Sequence, residues 1–203
     1  MEGSRNKVRR VEERTIWYMS DFSGLDLPAS AMRRVKPDMV HLFSSEVDSP
    51  GFQMLHPNCR NSTCGRVVHW KLRCELPPPR FGFKCYVADL TGCVVTAVPR
   101  DVLFEALSQL EPDIFVLRMS VDRQDEVYAM ILTHGFDEGY DLETWAHGQD
   151  RTMAFVAGIQ KTERLTNVQW PSDRSSSGRL PTSDEDVWEE VFRVLLRACG
   201  FRA

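Results

Sequence analysis

A chain of 203 residues with 42% hydrophobic content can bury one good-sized core and carry an appended helix or two, so a single domain with extensions is expected. The formal net charge of −4 argues against an indiscriminate polyanion binder. No apolar run approaches the roughly 18 residues of a membrane span, and the charged opening MEGSRNKVRRVEERT has no apolar core, so neither a span nor a secretory signal is expected. That places the protein in the cytosol or nucleus, where cysteines 59, 64, 74, 85, 93 and 199 read as thiols or metal ligands rather than disulfides. The sequon Asn61-Ser62-Thr63 is then a coincidence.

The first 14 residues read as a solvated tail. PASAMRRVK at 28–36 predicts a short helix, and Asp38 to Phe43 a strand. HPNCRNSTCGRVVHWKLRC at 56–74 concentrates two histidines and three cysteines, and Pro77-Pro78-Pro79 closes it against helix or central strand. From His56 to Tyr86 the basic residues Arg60, Arg66, Lys71, Arg73, Arg80 and Lys84 face the single acid Glu75, a basic stripe within an acidic chain.

Phe81, Phe83, Cys85 and Val87 alternate with Lys84 and Tyr86, the period of a half-buried strand. Asp89-Leu90-Thr91-Gly92 reads as a turn, with Cys93 to Val98 returning as a second strand. Arg100 to Leu110 sets Val102, Leu103, Ala106, Leu107 and Leu110 at helical spacing behind Pro99. Asp113 to Val121 and Glu126 to His134 read as two more strands around the turn Asp122 to Asp125, and Arg151 to Thr166 as helical. Pro171 to Thr182 is a Ser, Pro and Gly linker. Ser183 caps a final helix to Phe201, with Asp186 at N3 and a broad stripe of Val187, Trp188, Val191, Phe192, Leu195, Leu196 and Cys199.

The strand pair around D-L-T-G, the helix beginning P-R-D-V-L-F-E-A-L and the second apolar hairpin resemble a five-stranded OB-fold. With the cysteine segment, the chain is similar to the zinc-ribbon OB-fold of the C-terminal DNA-binding domain of the replication protein A large subunit, and to telomere end-binding and shieldin OB-folds. This resemblance covers about residues 38–143. It implies a mainly β fold with helices: a five-stranded barrel, an inserted zinc-ribbon-like hairpin and a C-terminal helix. The organisation expected is an N-terminal extension at 1–37, an OB-fold domain at 38–170 with the insertion at 52–79, a linker at 171–182 and a partner-binding helix at 183–203. The family's fourth cysteine would fall near Pro77, where this sequence has none.

Structural zinc needs four ligands, usually in two close pairs. Cys59, Cys64 and Cys74 would supply three, and His56, or alternatively His69, the fourth; equally, the ribbon has lost its metal and these cysteines are small hydrophobes. Single-stranded DNA binding calls for aromatic faces beside cations, and Trp70, Lys71, Arg73, Arg80, Phe83, Lys84 and Tyr86 interleave the two, although each aromatic alone fits packing as well. Trp188, Val191, Phe192, Leu195 and Leu196 would grip another OB-fold subunit or pack back on their own domain. Phosphate-loop, dinucleotide, zinc-protease, serine-elbow and deaminase motifs are all missing, so the chain is expected not to be an enzyme.

The expected function is therefore an OB-fold subunit of a nuclear single-stranded-DNA or telomere-end complex, in DNA replication or repair, with zinc and without a membrane or small-molecule substrate. Two rivals stand beside it. One is an OB-fold scaffold that binds only proteins, and the other a viral or regulatory host-interaction protein with no nucleic-acid role.

Overall fold

The computed structural model describes residues 15–22, 27–46, 62–64, 82–91, 100–147, 152–162 and 183–201. Seven strands form one sheet: β1 (Ile16–Asp21), β2 (Val40–Glu46), β3 (Ser62–Cys64), β4 (Phe83–Asp89), β5 (Ile114–Ser120), β6 (Tyr140–His147) and β7 (Met153–Gln160). Their order across the sheet is β3-β2-β1-β4-β5-β7-β6. Strands β1 to β5 pair in parallel, and β7 runs antiparallel to both β5 and β6. Five helices accompany them: α1 (Leu27–Val35), α2 (Arg100–Leu110), α3 (Gln124–Thr133), α4 (Phe136–Gly139) and α5 (Asp184–Ala198).

Parallel neighbours need a crossover, and crossovers are right-handed. From β1 the chain passes through α1 to β2 on one side, and from β4 through α2 to β5 on the other. Two right-handed crossovers in opposite directions put their helices on opposite faces, and the two buried clusters show it. Leu103, Phe104, Leu107 and Leu110 of α2 and Val127 and Ile131 of α3 pack with Met19, Tyr86, Phe115 and Leu117 on one face. Ala29 and Met32 of α1 and Trp188, Phe192, Leu195 and Leu196 of α5 pack with Ile16, Tyr18, Cys85, Val87 and Phe155 on the other.

The sheet overturns the expected barrel. β4 does not turn back on itself at Asp89-Leu90-Thr91; its partners are β1 and β5, both parallel. The expected return strand at 93–98 lies outside the described residues. Glu126 to His134, expected as a strand, belongs to α3, where Val127 and Ile131 stand one turn apart and are both buried while Leu132 faces out. Arg151 to Thr166, expected as helical, contains β7, whose Ala154 to Ile159 are buried between β5 and β6. The 1–37 segment assigned to an extension carries β1 and α1, and β1 lies inside the sheet between β2 and β4. The linker at 171–182 and all but residues 62–64 of the 52–79 insertion lie outside the described residues.

The C-terminal helix forms as its sequence dictates. Ser183 is extended and its Oγ accepts the Asp186 N–H at 3.2 Å, while Asp184, Glu185 and Asp186 fill the positive first turn. Gly200 ends it at φ +80°, where the Phe201 N–H reaches back to the Leu196 carbonyl at 2.8 Å. Phe201 then meets Phe83 edge-on, with centroids 4.7 Å apart. A polar seam joins α5 to α1: Ser30 donates to Glu185, and Arg34 pairs with Glu185 at 2.7 Å within reach of Asp186 and Glu189.

Candidate ligand site at the carboxyl edge of the sheet

Where neighbouring parallel strands send their helices to opposite faces, a crevice opens beyond their carboxyl ends, and open α/β sheets bind ligands there. In this chain the switch falls between β1 and β4. β1 ends at Asp21, only 1% exposed, whose Oδ2 accepts the Tyr86 hydroxyl of β4 at 2.6 Å. The next residue, Phe22, is buried with φ +54°, a left-handed conformation that costs a bulky side chain about 1–2 kcal/mol. That conformation breaks the extended backbone and ends β1. Beside it the buried Ser20 hydroxyl donates to Ser44 of β2 at 2.9 Å, and the His41 Nε2 lies 2.6 Å from the same Ser44 oxygen. A register shift between Tyr18 and Met19 accompanies this pairing of β1 with β2.

β2 closes on the acidic residue Glu46 and β4 on Asp89. Asp89 Oδ1 accepts both the Thr91 N–H, at 3.1 Å, and its hydroxyl, at 2.6 Å, which folds the chain leaving β4 into a tight turn. Its Oδ2 faces Arg118 of β5 at 3.3 Å. Three neighbouring strands thus end in carboxylate residues at one edge.

Of the residues expected to bind DNA, the three that are described do not converge on one surface. Phe83 is buried against Phe201, and Tyr86 points through the opposite face to Asp21. Lys84 sits at the far, amino end of β4, where its Nζ donates to the Leu110 carbonyl at 2.6 Å and its N–H to Asp113 at 2.7 Å. Trp70, Lys71, Arg73 and Arg80 lie outside the described residues. So do His56, Cys59, His69 and Cys74, while Cys64 ends β3, paired with Glu46. Among the described residues no three His, Cys, Asp or Glu side chains gather as a metal site. The helix residues assigned to a partner, Trp188, Val191, Phe192, Leu195 and Leu196, are all buried on the chain's own sheet. Trp188 meets Phe155 edge-on at 5.3 Å and stacks on Phe192 at 5.7 Å.

No protein-family model matches this sequence, and no curated protein does. Solved structures do. The Entamoeba histolytica methyltransferase EhMeth superposes with a TM-score of 0.53 at 9% identity, over 80% of this chain and 62% of its own. The S. pombe Dnmt2 methyltransferase gives 0.52 at 8% identity, over 81% and 56%. An Agrobacterium tumefaciens protein titled a predicted O-methyltransferase gives 0.51 at 11% identity, over 74% and 76%. This is a methyltransferase fold. The chain spans less than two thirds of the length of the first two of these structures.

The methyltransferase fold corrects the expectations that rested on the barrel. With no OB-fold, the resemblance to replication protein A and to telomere end-binding proteins falls, and with it the single-stranded-DNA subunit, the OB-fold scaffold and the OB-fold partners. Zinc falls with the ribbon on which it depended. The expectation of a non-enzyme without a small-molecule ligand rested on missing motifs. The structures that share this fold are titled methyltransferases, and the crevice is built from strand ends rather than from any motif sought. The signal that sequence reasoning missed was Ile16 to Asp21, an apolar run closed by an acid and followed within three residues by Gly24.

Proposed function

We propose that the chain is a methyltransferase that takes S-adenosylmethionine in the crevice beyond β1, β2 and β4. The strand order, with antiparallel β7 set between β5 and β6, carries this reading. The residues present fit the group. Glu46 closes the strand next to β1, 22 positions beyond Gly24, where open α/β sheets place an acid for ribose hydroxyls. The left-handed conformation of Phe22 ends β1 at the crevice. The buried Asp21 at the end of β1 brings a carboxylate to the crevice, which favours a sulfonium cation.

When bound, S-adenosylmethionine supplies an electrophilic methyl group. The chain's own part is to bind, orient and exclude water. Tyr86 fixes the Asp21 carboxylate at the floor, and the Asp89 turn shapes the wall at β4. Isothermal titration with S-adenosylmethionine and S-adenosylhomocysteine tests the reading. Saturable binding weakened by Glu46→Ala is expected; absence of binding to either compound overturns it. Incubation with methyl-tritiated S-adenosylmethionine and fractionated nucleic acid, protein and metabolites would then show which class becomes labelled.

A further inference from the structure

On the sheet face away from the Asp21–Tyr86 pair, a second set of charged side chains meets at the carboxyl edge. Arg118 of β5 is 4% exposed, and the strand register puts it between Asp89 of β4 and Phe155 of β7. Its Nη1 lies 3.3 Å from Asp89 Oδ2, and its Nη2 3.0 Å from Asp184 Oδ2 in the first turn of α5. The guanidinium carbon stands 5.9 Å from the centre of the Trp188 ring, also on α5. Among the described residues the Arg118 Nε has no hydrogen-bond partner, and the head is oriented by two carboxylates and an indole. Asp89 in turn holds the Thr91 N–H and hydroxyl with its other oxygen. A line of contacts runs from α5 through Arg118 and Asp89 to the turn that walls the crevice.

We propose that Arg118, aimed by Asp184, is a positioning residue that fixes the Asp89 carboxylate and the turn after β4, so that the C-terminal helix governs ligand affinity at the carboxyl edge of the sheet. An arginine is suited to this because one planar head can serve two carboxylates at once, which a lysine cannot. Asp184 separates the idea from simple packing. Its side chain is 57% exposed, and a solvent-exposed ion pair by itself contributes little to stability. If Asp184 only decorates the surface, its loss changes nothing.

The affinity readout rests on the methyltransferase reading, whereas the backbone readout does not. Amide exchange at Thr91 is measured by NMR on the full, ligand-free chain, beside calorimetric titration with S-adenosylmethionine. Arg118→Lys should speed Thr91 exchange by about tenfold, the loss of one charge-assisted bond, and weaken the ligand by a similar factor. Asp184→Asn should move both in the same direction by a smaller factor, leave the β7 amides unchanged, and be rescued by Asp184→Glu. Unchanged Thr91 exchange in both variants overturns the clamp. Faster exchange with unchanged affinity overturns the positioning role. A wild-type chain that binds no S-adenosylmethionine overturns the proposed function, and Thr91 exchange still decides whether Arg118 holds the turn.

Discussion

Gly158 of β7 lies directly under the ring of Phe115 on β5, so close that a methyl group on it would stand 2.2 Å from the Phe115 Cε1. Phe115 cannot retreat freely, because Phe136 and Tyr140 meet its ring edge-on at 6.4 and 5.1 Å. Gly158→Ala should therefore cost about 1–3 kcal/mol by overpacking. Urea denaturation would measure this, and adding Phe115→Leu should recover part of the loss.

The Tyr86 hydroxyl is buried and donates to the buried Asp21. Tyr86→Phe keeps the ring and removes the donor, so stability should fall by about 1–2 kcal/mol. Because Asp21 lies at the crevice floor, affinity for S-adenosylmethionine should fall as well, and calorimetric titration beside urea denaturation would separate the two effects.

Burial pushes the Cys199 thiol up to about 12, with the Asp113 charge adding to it, and raises the Cys85 thiol and the Tyr140 hydroxyl as well. Each of these groups is neutral when protonated, so the folded chain holds its protons to higher pH than the unfolded chain. The unfolded state binds fewer protons above the ordinary thiol value of 9.0, and stability falls as pH rises from there toward 12. Denaturation midpoints should be flat from about pH 7 to 8.5 and decline above about 9. In the native state at pH 8, iodoacetamide should leave Cys85 unmodified by mass spectrometry, since the thiolate is the reactive form.

Trp188 and Ser183 test α5 as a part of the chain's own core. Trp188→Ala should destabilise by about 3–5 kcal/mol, the cost of a large cavity. Ser183→Ala should cost about 1 kcal/mol through the lost cap. Both are read by thermal melting monitored by circular dichroism.

Local chemistry was legible in the sequence where it acts over a few residues. Arg100 to Leu110 is the helix its spacing predicts, Ser183 caps α5, and β4 and β5 fall on the alternation at Phe83 to Val87 and the apolar run at Ile114 to Met119. What alternation cannot carry is which strand lies beside which. Ile16 to Asp21 escaped the strand reading because Ser20 and Asp21 break the apolar run, yet those two polar residues are buried and bonded to Ser44 and Tyr86. Glu126 to His134 was read as a strand because a buried helix and a strand share the same short apolar signature. The candidate site was invisible for the same reason: Asp21, Glu46 and Asp89 are far apart in sequence and come to neighbouring strand ends only through parallel pairing.

Strand β1 lies inside the sheet between β2 and β4, and its Ile16 and Tyr18 pack with a helix that begins at Asp184. The helix at 27–35 follows β1 directly and covers part of that face, but the part under Trp188 and Phe192 stays open until residues 184–198 have been made. β6 waits too, because β7, its link to β5, is made after it. Until α5 has been made, a nascent chain leaves that part of the sheet's apolar surface exposed, which is the kind of surface that chaperones shield.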